Sequence, residues 1–274
     1  MMRSFFNLKY RTACVTAMVA LATGYSAQSF AEISLQGSTV CAAKQYAMSL
    51  KYQQQSAEIQ ALQWQAYHLA TDRLQQILAQ SPQHKNLAIV TDLDETVLDN
   101  SDFLVQDLQN CRDYTEWKSW SDWEKYGRPK LIPGSLDFLN FAAQQNVKIF
   151  YISDRSQQYR AQTLAHLQRL GLPQAEDAHL LLYGTSKEQR RQQVAKNYQI
   201  VMLLGDTLHD FSDQFNNQQD KLTRQQRVEQ NHRHFGYDWI MLPNVSYGAW
   251  SKDVYTPLSS EDFPVHIGTE TAIP

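Results

Sequence analysis

Two aspartates one residue apart, Asp92 and Asp94, follow a short apolar run, Leu87-Ala-Ile-Val-Thr91. A run of that length and character reads as a buried strand of a parallel sheet. If the chain stays extended a little further, both carboxylates project to the same side, because side chains alternate along a strand. Carboxylates that converge repel one another unless a cation lies between them, and hard, oxygen-seeking Mg²⁺ is the natural one. An ordinary loop carrying Asp-x-Asp is the plain alternative.

The rest of the chain repeats the device. Ile200-Val-Met-Leu-Leu-Gly-Asp206 is an apolar run, a glycine and a carboxylate, with Asp210 following four residues later. Val147-Lys-Ile-Phe-Tyr-Ile152 runs into Ser153-Asp-Arg155, and Lys187 opens a helix-like segment reaching Asn197. In open α/β sheets, ligands sit beyond the carboxyl ends of the strands, so strands that end in these residues point at one site. Carboxylates for a metal, a hydroxyl and a lysine for phosphate oxygens together form the equipment of phosphoryl transfer.

The elements that must carry these residues follow from periodicity and punctuation. Residues from about 40 to 80 are glutamine-rich and free of Gly and Pro. Leu62, Ala66, Leu69, Ala70, Leu74, Ile77 and Leu78 recur there at helical spacing, which predicts one amphipathic helix stopped by Ser81-Pro82. After Pro133-Gly134 the pattern alternates: helix 135–145, strand 147–152, helix 157–170, strand 179–183, helix 187–197, the strand into Asp206, further helix, and a strand 239–242. Alternation of this kind implies an α/β fold with a parallel sheet and right-handed crossovers. Asn231-His-Arg-His-Phe-Gly236 reads as a helix end closed by Gly236, with His232 and His234 solvated. Between the first strand and the first crossover helix, about 99–133, lies an insertion with Trp117, Trp120 and Trp123. It predicts a small helical cap over the strand ends, with most of the tryptophans forming the cap's own core.

Asp92-x-Asp94-x-Thr96, Ser153, Lys187 and Gly205-Asp206-x-x-x-Asp210 resemble the four motifs of the haloacid dehalogenase (HAD) superfamily. The longer runs Asp92-Leu-Asp-Glu-Thr-Val-Leu-Asp-Asn100, Phe150-Tyr-Ile-Ser-Asp-Arg155 and Leu242-Pro-Asn-Val-Ser-Tyr-Gly-Ala-Trp250 are similar to those of the class C bacterial acid phosphatases, the lipoprotein-type 5′-nucleotidases with four essential aspartates. The resemblance covers about residues 40–260 and implies a Rossmann-like core with a cap and an N-terminal helix. It implies hydrolysis of small phosphate monoesters, nucleoside monophosphates and nicotinamide mononucleotide among them, at mildly acid pH with Mg²⁺. Asp92 would be the nucleophile that becomes an aspartyl phosphate, and Asp94 the acid and base. Ser153 and Lys187 would hold the phosphoryl group. Metal ligation falls to the Asp92 carboxylate, the Asp94 backbone carbonyl and Asp206, with Asp210 acting through water or by holding the others. Tyr247 matches an aromatic that stacks on the base, or else packs as an ordinary loop tyrosine. Tyr114 is the nearest candidate for the opposing wall, although Arg112-Asp-Tyr114 departs from the family pattern. Ser153 stands where threonine is common. Arg190 reads as a solvated helix charge. Dimerisation is implied only by the resemblance.

Rival readings are weighed on the same residues. Dehalogenases of the superfamily lack the second aspartate, so Asp94 argues against that chemistry, and export disfavours a mutase. A non-catalytic surface or ligand-binding protein on the same fold would be favoured by loss of a catalytic aspartate. Asp92, Asp94, Asp206 and Asp210 are all present.

The first residues read as a targeting leader: basic Arg3, Lys9 and Arg11, an apolar stretch Thr12 to Ala22, and Ser29-Phe-Ala31 as a cleavage site. The stretch is short for a membrane span. Cys14 and Cys41 are not placed as lipidation cysteines, so the expected product is residues 32–274, periplasmic or secreted and without a stable membrane anchor. The leader carries three basic and no acidic residues, so its removal moves the net charge from −3 to −6. An acidic body disfavours nucleic-acid polymers. Cys41 and Cys111 survive cleavage; they either pair in an oxidising compartment or remain two free thiols.

Overall fold

The computed structural model describes residues 41–80, 85–216 and 220–253; the expected leader and the Ser81-Pro82 helix stop lie outside them. In chain order the strands are β1 (Leu87–Thr91), β2 (Leu98–Asp99), β3 (Lys130–Leu131), β4 (Lys148–Ile152), β5 (Leu180–Leu181), β6 (Gln199–Gly205) and β7 (Trp239–Met241). The helices are α1 (Ala47–Gln55), α2 (Ala57–Gln80), α3 (Ser101–Gln109), α4 (Trp120–Tyr126), α5 (Ser135–Gln144), α6 (Arg160–Arg169), α7 (Lys187–Ala195) and α8 (Lys221–Gln230). Every residue of β1 is buried, as the apolar run requires for a strand covered on both faces. It is the centre of an all-parallel sheet ordered β5-β4-β1-β6-β7.

Register decides where the chemistry goes. Thr91 pairs with Tyr151 on one side and Leu204 on the other, so β1, β4 and β6 end nearly level. The Asp92 N–H continues the ladder to the Leu204 carbonyl (3.0 Å), and the Ser153 N–H reaches the Leu181 carbonyl (3.1 Å). Asp92, Ser153 and Asp206 therefore leave the sheet along one edge.

The expected single helix over 40–80 is broken. Ser56 is extended (ψ 142°), and its Oγ accepts the Ile59 N–H at 3.0 Å, so it ends α1 and caps α2. Ile59, Ala66, Tyr67, Ala70 and Leu74 form the buried face of α2, whereas Leu62 and Leu69 of the expected stripe are exposed. Tyr67 donates its hydroxyl to the Thr96 carbonyl (2.7 Å), bracing the loop after β1 from below. The strand expected over 179–183 is reduced to Leu180–Leu181. Helix α8 stops at Gln230, ahead of Gly236, which takes φ +79° in the turn before β7. His232 and His234 are exposed, with His234 on Asp238 (2.8 Å).

The insertion leaves and re-enters through the antiparallel pair β2–β3, with Leu98 opposite Leu131 and Asp99 opposite Lys130. Above this neck, Phe103 of α3 packs against Trp120 and Trp123 (ring centroids 5.6 and 5.5 Å) over Leu50, Leu104 and Tyr114. Cys41 and Cys111 form a disulfide that ties the N-terminal segment to this cap across 70 residues. Closing so long a loop restricts the unfolded chain, so Cys41→Ser is expected to cost about 3–4 kcal/mol in urea unfolding. A midpoint unmoved by the substitution would deny the bridge that role.

Candidate active site

Asp92 is buried, and its Oδ1 accepts a hydrogen bond from Lys187 Nζ at 2.7 Å. The lysine owes its place to Ser186, whose Oγ accepts the Gln189 N–H while its own N–H donates to Gln189 Oε1, fixing Lys187 as the first residue of α7. Lys187 also reaches Asp210 Oδ1 at 2.5 Å. The second oxygen of Asp210 accepts from Thr207 N–H (2.9 Å) and Oγ1 (2.7 Å). Asp206 accepts from Thr96 Oγ1 (3.2 Å) and Asn244 Nδ2 (2.7 Å). Asp92, Asp206 and Asp210 each offer an oxygen within 4.8 Å of the others, a buried set able to hold a divalent metal.

Electrostatics agree with geometry. Burial pushes the Asp92 carboxyl well above its ordinary range; Lys187 opposes this, and Asp210, Asp206 and Asp94 add to it. Burial and the Asp210 charge likewise raise Asp206. Burial works against the Lys187 charge, but Asp210 and Asp92 outweigh it and hold the ammonium firmly protonated. One lysine thus faces three buried carboxylates, an excess of negative charge that a divalent cation would relieve.

Gly205 explains the spacing in Gly-Asp-x-x-x-Asp. A Cβ there would lie 2.2 Å from Asp210 Cβ, so only glycine lets that carboxylate fold back against the strand. Gly205→Ala is expected to displace Asp210 from Lys187 and lower kcat at least about tenfold, as repositioned catalytic groups do. Phosphate-release kinetics on folded variant would check this; unchanged turnover would show that the close approach is dispensable.

Asp94 lies toward the cap side of the cavity, 14% exposed, in an ion pair with fully buried Arg155 (2.7 Å). Ser153 is buried, and its Oγ donates to Asp94 Oδ2 at 3.4 Å. A cavity of about 410 Å³ opens above, lined by Asp92, Asp94, Arg155, Lys187, Trp117 and Tyr247. The Tyr247 ring meets Trp117 edge to face (4.9 Å), and its hydroxyl donates to Glu95 Oε2.

Two expectations are corrected. Tyr114 is wholly buried and donates its hydroxyl to the Ser246 carbonyl (2.8 Å), so it braces the 243–247 loop and does not line the cavity. Trp117, 40% exposed, lines the cavity beside Tyr247 instead. Arg190 is buried rather than solvated: Nη1 donates to the Ser153 (2.6 Å) and Leu181 (3.2 Å) carbonyls, and Nη2 pairs with Asp154. It satisfies carbonyls at the ends of β4 and β5. Arg155, Glu95, Asn100 and Asn244 were not assigned roles from sequence. Each sits inside a motif run; the signal that singles out Arg155, Glu95 and Asn100 is a buried polar side chain beside a carboxylate, and Asn244, half-buried, is singled out by its hydrogen bond to Asp206.

A family model described as HAD superfamily, subfamily IIIB (acid phosphatase), matches residues 12–250. A class C acid phosphatase structure from Bacillus anthracis aligns with TM-score 0.72 at 35% identity, covering 77% of this chain and 88% of that one. Another, of the class C acid phosphatase from the same organism with tungstate bound, aligns with TM-score 0.72 at 32% identity, covering 81% and 95%. The family match takes in both aspartate loops, the strand-end serine and the lysine, on a sheet whose order brings them together. The chain therefore belongs to the subfamily IIIB acid phosphatases of the HAD superfamily and is a phosphomonoesterase.

Proposed function

We propose that this chain is an exported, Mg²⁺-dependent acid phosphatase that hydrolyses 5′-nucleotides and related small monoesters, nicotinamide mononucleotide among them, through an aspartyl phosphate on Asp92. The observation that carries the reading is the placement of Asp92 and Lys187 in a cavity whose other wall is the Tyr247–Trp117 pair. A phosphate seated at Asp92 leaves space toward those rings, which suits an ester bearing a flat base.

The buried, undercompensated oxygen set fits a hard divalent ion. Asp92 and Asp206 would hold it with the Asp94 backbone carbonyl; both Asp210 oxygens are already engaged, which suits Asp210 to orienting Lys187 and reaching the ion through water. When bound, Mg²⁺ supplies positive charge against the carboxylates and the phosphoryl oxygens. Asp92 attacks phosphorus through the oxygen that Lys187 leaves free; the Asp92 O–P bond forms and the ester P–O bond breaks. Asp94 gives its proton to the departing oxygen, then takes one from the water that attacks the aspartyl phosphate, releasing phosphate and Asp92. Lys187 and Ser153 steady the transferring group.

Export is supported by the leader pattern and by a disulfide, which persists in oxidising compartments. No helix among the described residues is long and apolar enough to cross a membrane. A homodimer belongs to the same proposal, supported by Leu62, Leu69, Met241 and Trp250, exposed around one groove.

The test is phosphate release from 5′-AMP and nicotinamide mononucleotide at pH ~5–6, where a carboxyl acid can work, with Mg²⁺ or with EDTA. Tyr247→Ala should lower kcat/KM for these about tenfold, the worth of one ring contact, and spare glycerol phosphate. Equal losses on both classes would remove the ring from substrate selection. No release from either nucleotide by folded, Mg²⁺-loaded protein would sink the substrate assignment.

A further inference from the structure

Asn100 is completely buried at the point where the cap leaves the core, and its polar side-chain atoms are all engaged. Its Nδ2 donates to Asp94 Oδ1 (2.9 Å) and to Glu95 Oε2 (3.4 Å). Its Oδ1 accepts from Trp123 Nε1 (2.7 Å) and from Arg155 Nη2 (3.3 Å). Its backbone N–H donates to Glu95 Oε1 (3.0 Å). Indole and guanidinium are donors only, so they dictate which way the amide points. The oxygen must face Trp123 and Arg155, and the NH₂ must face the carboxylates.

Arg155 completes the grip on Asp94. Nε lies 3.0 Å from each Asp94 oxygen, and Nη2 lies 2.7 Å from Oδ1. The arginine's own loop is held where the Ser156 N–H donates to buried Glu124 Oε1 (2.6 Å), and its guanidinium carbon sits 5.6 Å from the Trp120 ring. Oδ1 of Asp94 thus takes the short bonds from Asn100 and Arg155. Among the described residues Oδ2 meets Arg155 Nε and the longer Ser153 contact, and is the less heavily bonded of the two oxygens.

We propose that Asn100 and Arg155 are positioning residues that fix the Asp94 carboxyl so that Oδ2 meets the leaving-group oxygen, with Trp123 of the cap setting the sense of the Asn100 amide. The inference rests on the reading of Asp94 as the acid and adds the device that aims it. It makes the cap part of the proton-delivery apparatus: α4 is wired to Asp94 through one amide. A misaimed acid matters most when the departing oxygen is strongly basic, because such an oxygen cannot leave without the proton.

The experiment compares kcat/KM for phenyl phosphate and p-nitrophenyl phosphate, which share a ring but differ in leaving-group basicity. This ratio reports steps only up to leaving-group departure, so the later work of Asp94 on water does not enter it. Asn100→Asp keeps an acceptor facing Trp123 and Arg155, removes the donor facing Asp94 and sets a third carboxylate against Asp94 and Glu95, so it both frees and repels the Asp94 carboxyl. Arg155→Lys keeps a cation and deletes the paired donors, and serves if the first variant does not fold. Asp94→Asn is the reference.

Each positioning variant is expected to lose about 10–100-fold on phenyl phosphate and roughly tenfold less on p-nitrophenyl phosphate, in the direction of the reference, since general acids contribute on that scale. Equal losses on both esters, or none on either, would overturn the proposal and leave these residues a packing role. If Asp94→Asn itself showed no leaving-group dependence, the acid assignment would fall, and the proposal with it. Wild-type protein that released phosphate from neither ester would overturn the phosphatase reading itself, a result separable from the others.

Discussion

Asp92→Asn is expected to lower kcat by about 10⁴-fold or more with the fold intact, the scale on which loss of a nucleophile is felt. The amide is the same size and still offers Lys187 an oxygen at the Oδ1 position, so the 2.7 Å contact can persist. What it cannot do is attack phosphorus and become an acyl phosphate. Wild-type protein mixed rapidly with p-nitrophenyl phosphate should trap a phosphorylated Asp92 on acid quench, and the variant should trap none. Stability should not fall in parallel: burial already opposes charge at Asp92, so replacing the carboxylate by a neutral amide removes a strain on the metal-free fold. Turnover retained by the folded variant would remove Asp92 from the role of nucleophile.

Asp206→Asn is expected to separate stability from function in the opposite senses. Without metal, burial and the neighbouring Asp210 raise the Asp206 carboxyl well above its ordinary value of 3.8. The folded state then holds a proton that the unfolded chain has released. Its contribution is fully present below the unfolded value and is lost as pH rises through the raised folded one, at up to about 1.4 kcal/mol per pH unit. In EDTA the wild type should therefore weaken as pH rises above about 4, and Asp206→Asn should flatten that slope and melt higher. With Mg²⁺ at a hundredfold excess over its Kd, the wild type should gain about 2.7 kcal/mol, the variant far less, and activity should follow the metal. Melting curves in EDTA and in Mg²⁺ from about pH 4 upward read both effects, because the slope begins where the unfolded carboxyl titrates. A variant that melts lower than wild type in EDTA would show that Asp206 is a structural acceptor for Asn244 and Thr96 rather than a crowded ligand.

The aspartates were legible because their signals are local. A buried strand announces itself by a run of four apolar residues, Leu87 to Val90, and a carboxylate near its end needs no distant residue to be recognised. Gly205 with Asp206 and Asp210 is likewise a matter of a few adjacent residues, since the Cβ that glycine lacks would strike a side chain only five positions on. Ser56 carried a local signal too, a helix-capping serine inside a helical pattern, but the unbroken periodicity around it masked the stop. Of the candidate site, Asp92, Asp206, Asp210, Ser153 and Lys187 arrive at one sheet edge as their positions implied.

What joins these residues to the cap depended on contacts between segments far apart in the chain. Tyr114 and Trp117 differ by three positions in one short segment, and nothing in either neighbourhood says which enters the core; packing against Tyr46 and the Ser246 carbonyl decided it for Tyr114. Arg190 looked solvated because its helix is polar, yet strand ends arriving from β4 and β5 offered carbonyls that only a buried donor could satisfy. Arg155 lies 61 residues from Asp94, and Trp123 lies 23 from Asn100. Sequence by itself determined the approximate places of the five strands of the parallel sheet, the order of the motifs and the chemistry of the groups at their ends, because each depends on neighbours in the chain. Only the tertiary structure decided which groups hold those ends in place, because hydrogen-bond partners and burial are set by sheet order and cap packing, which no local window contains.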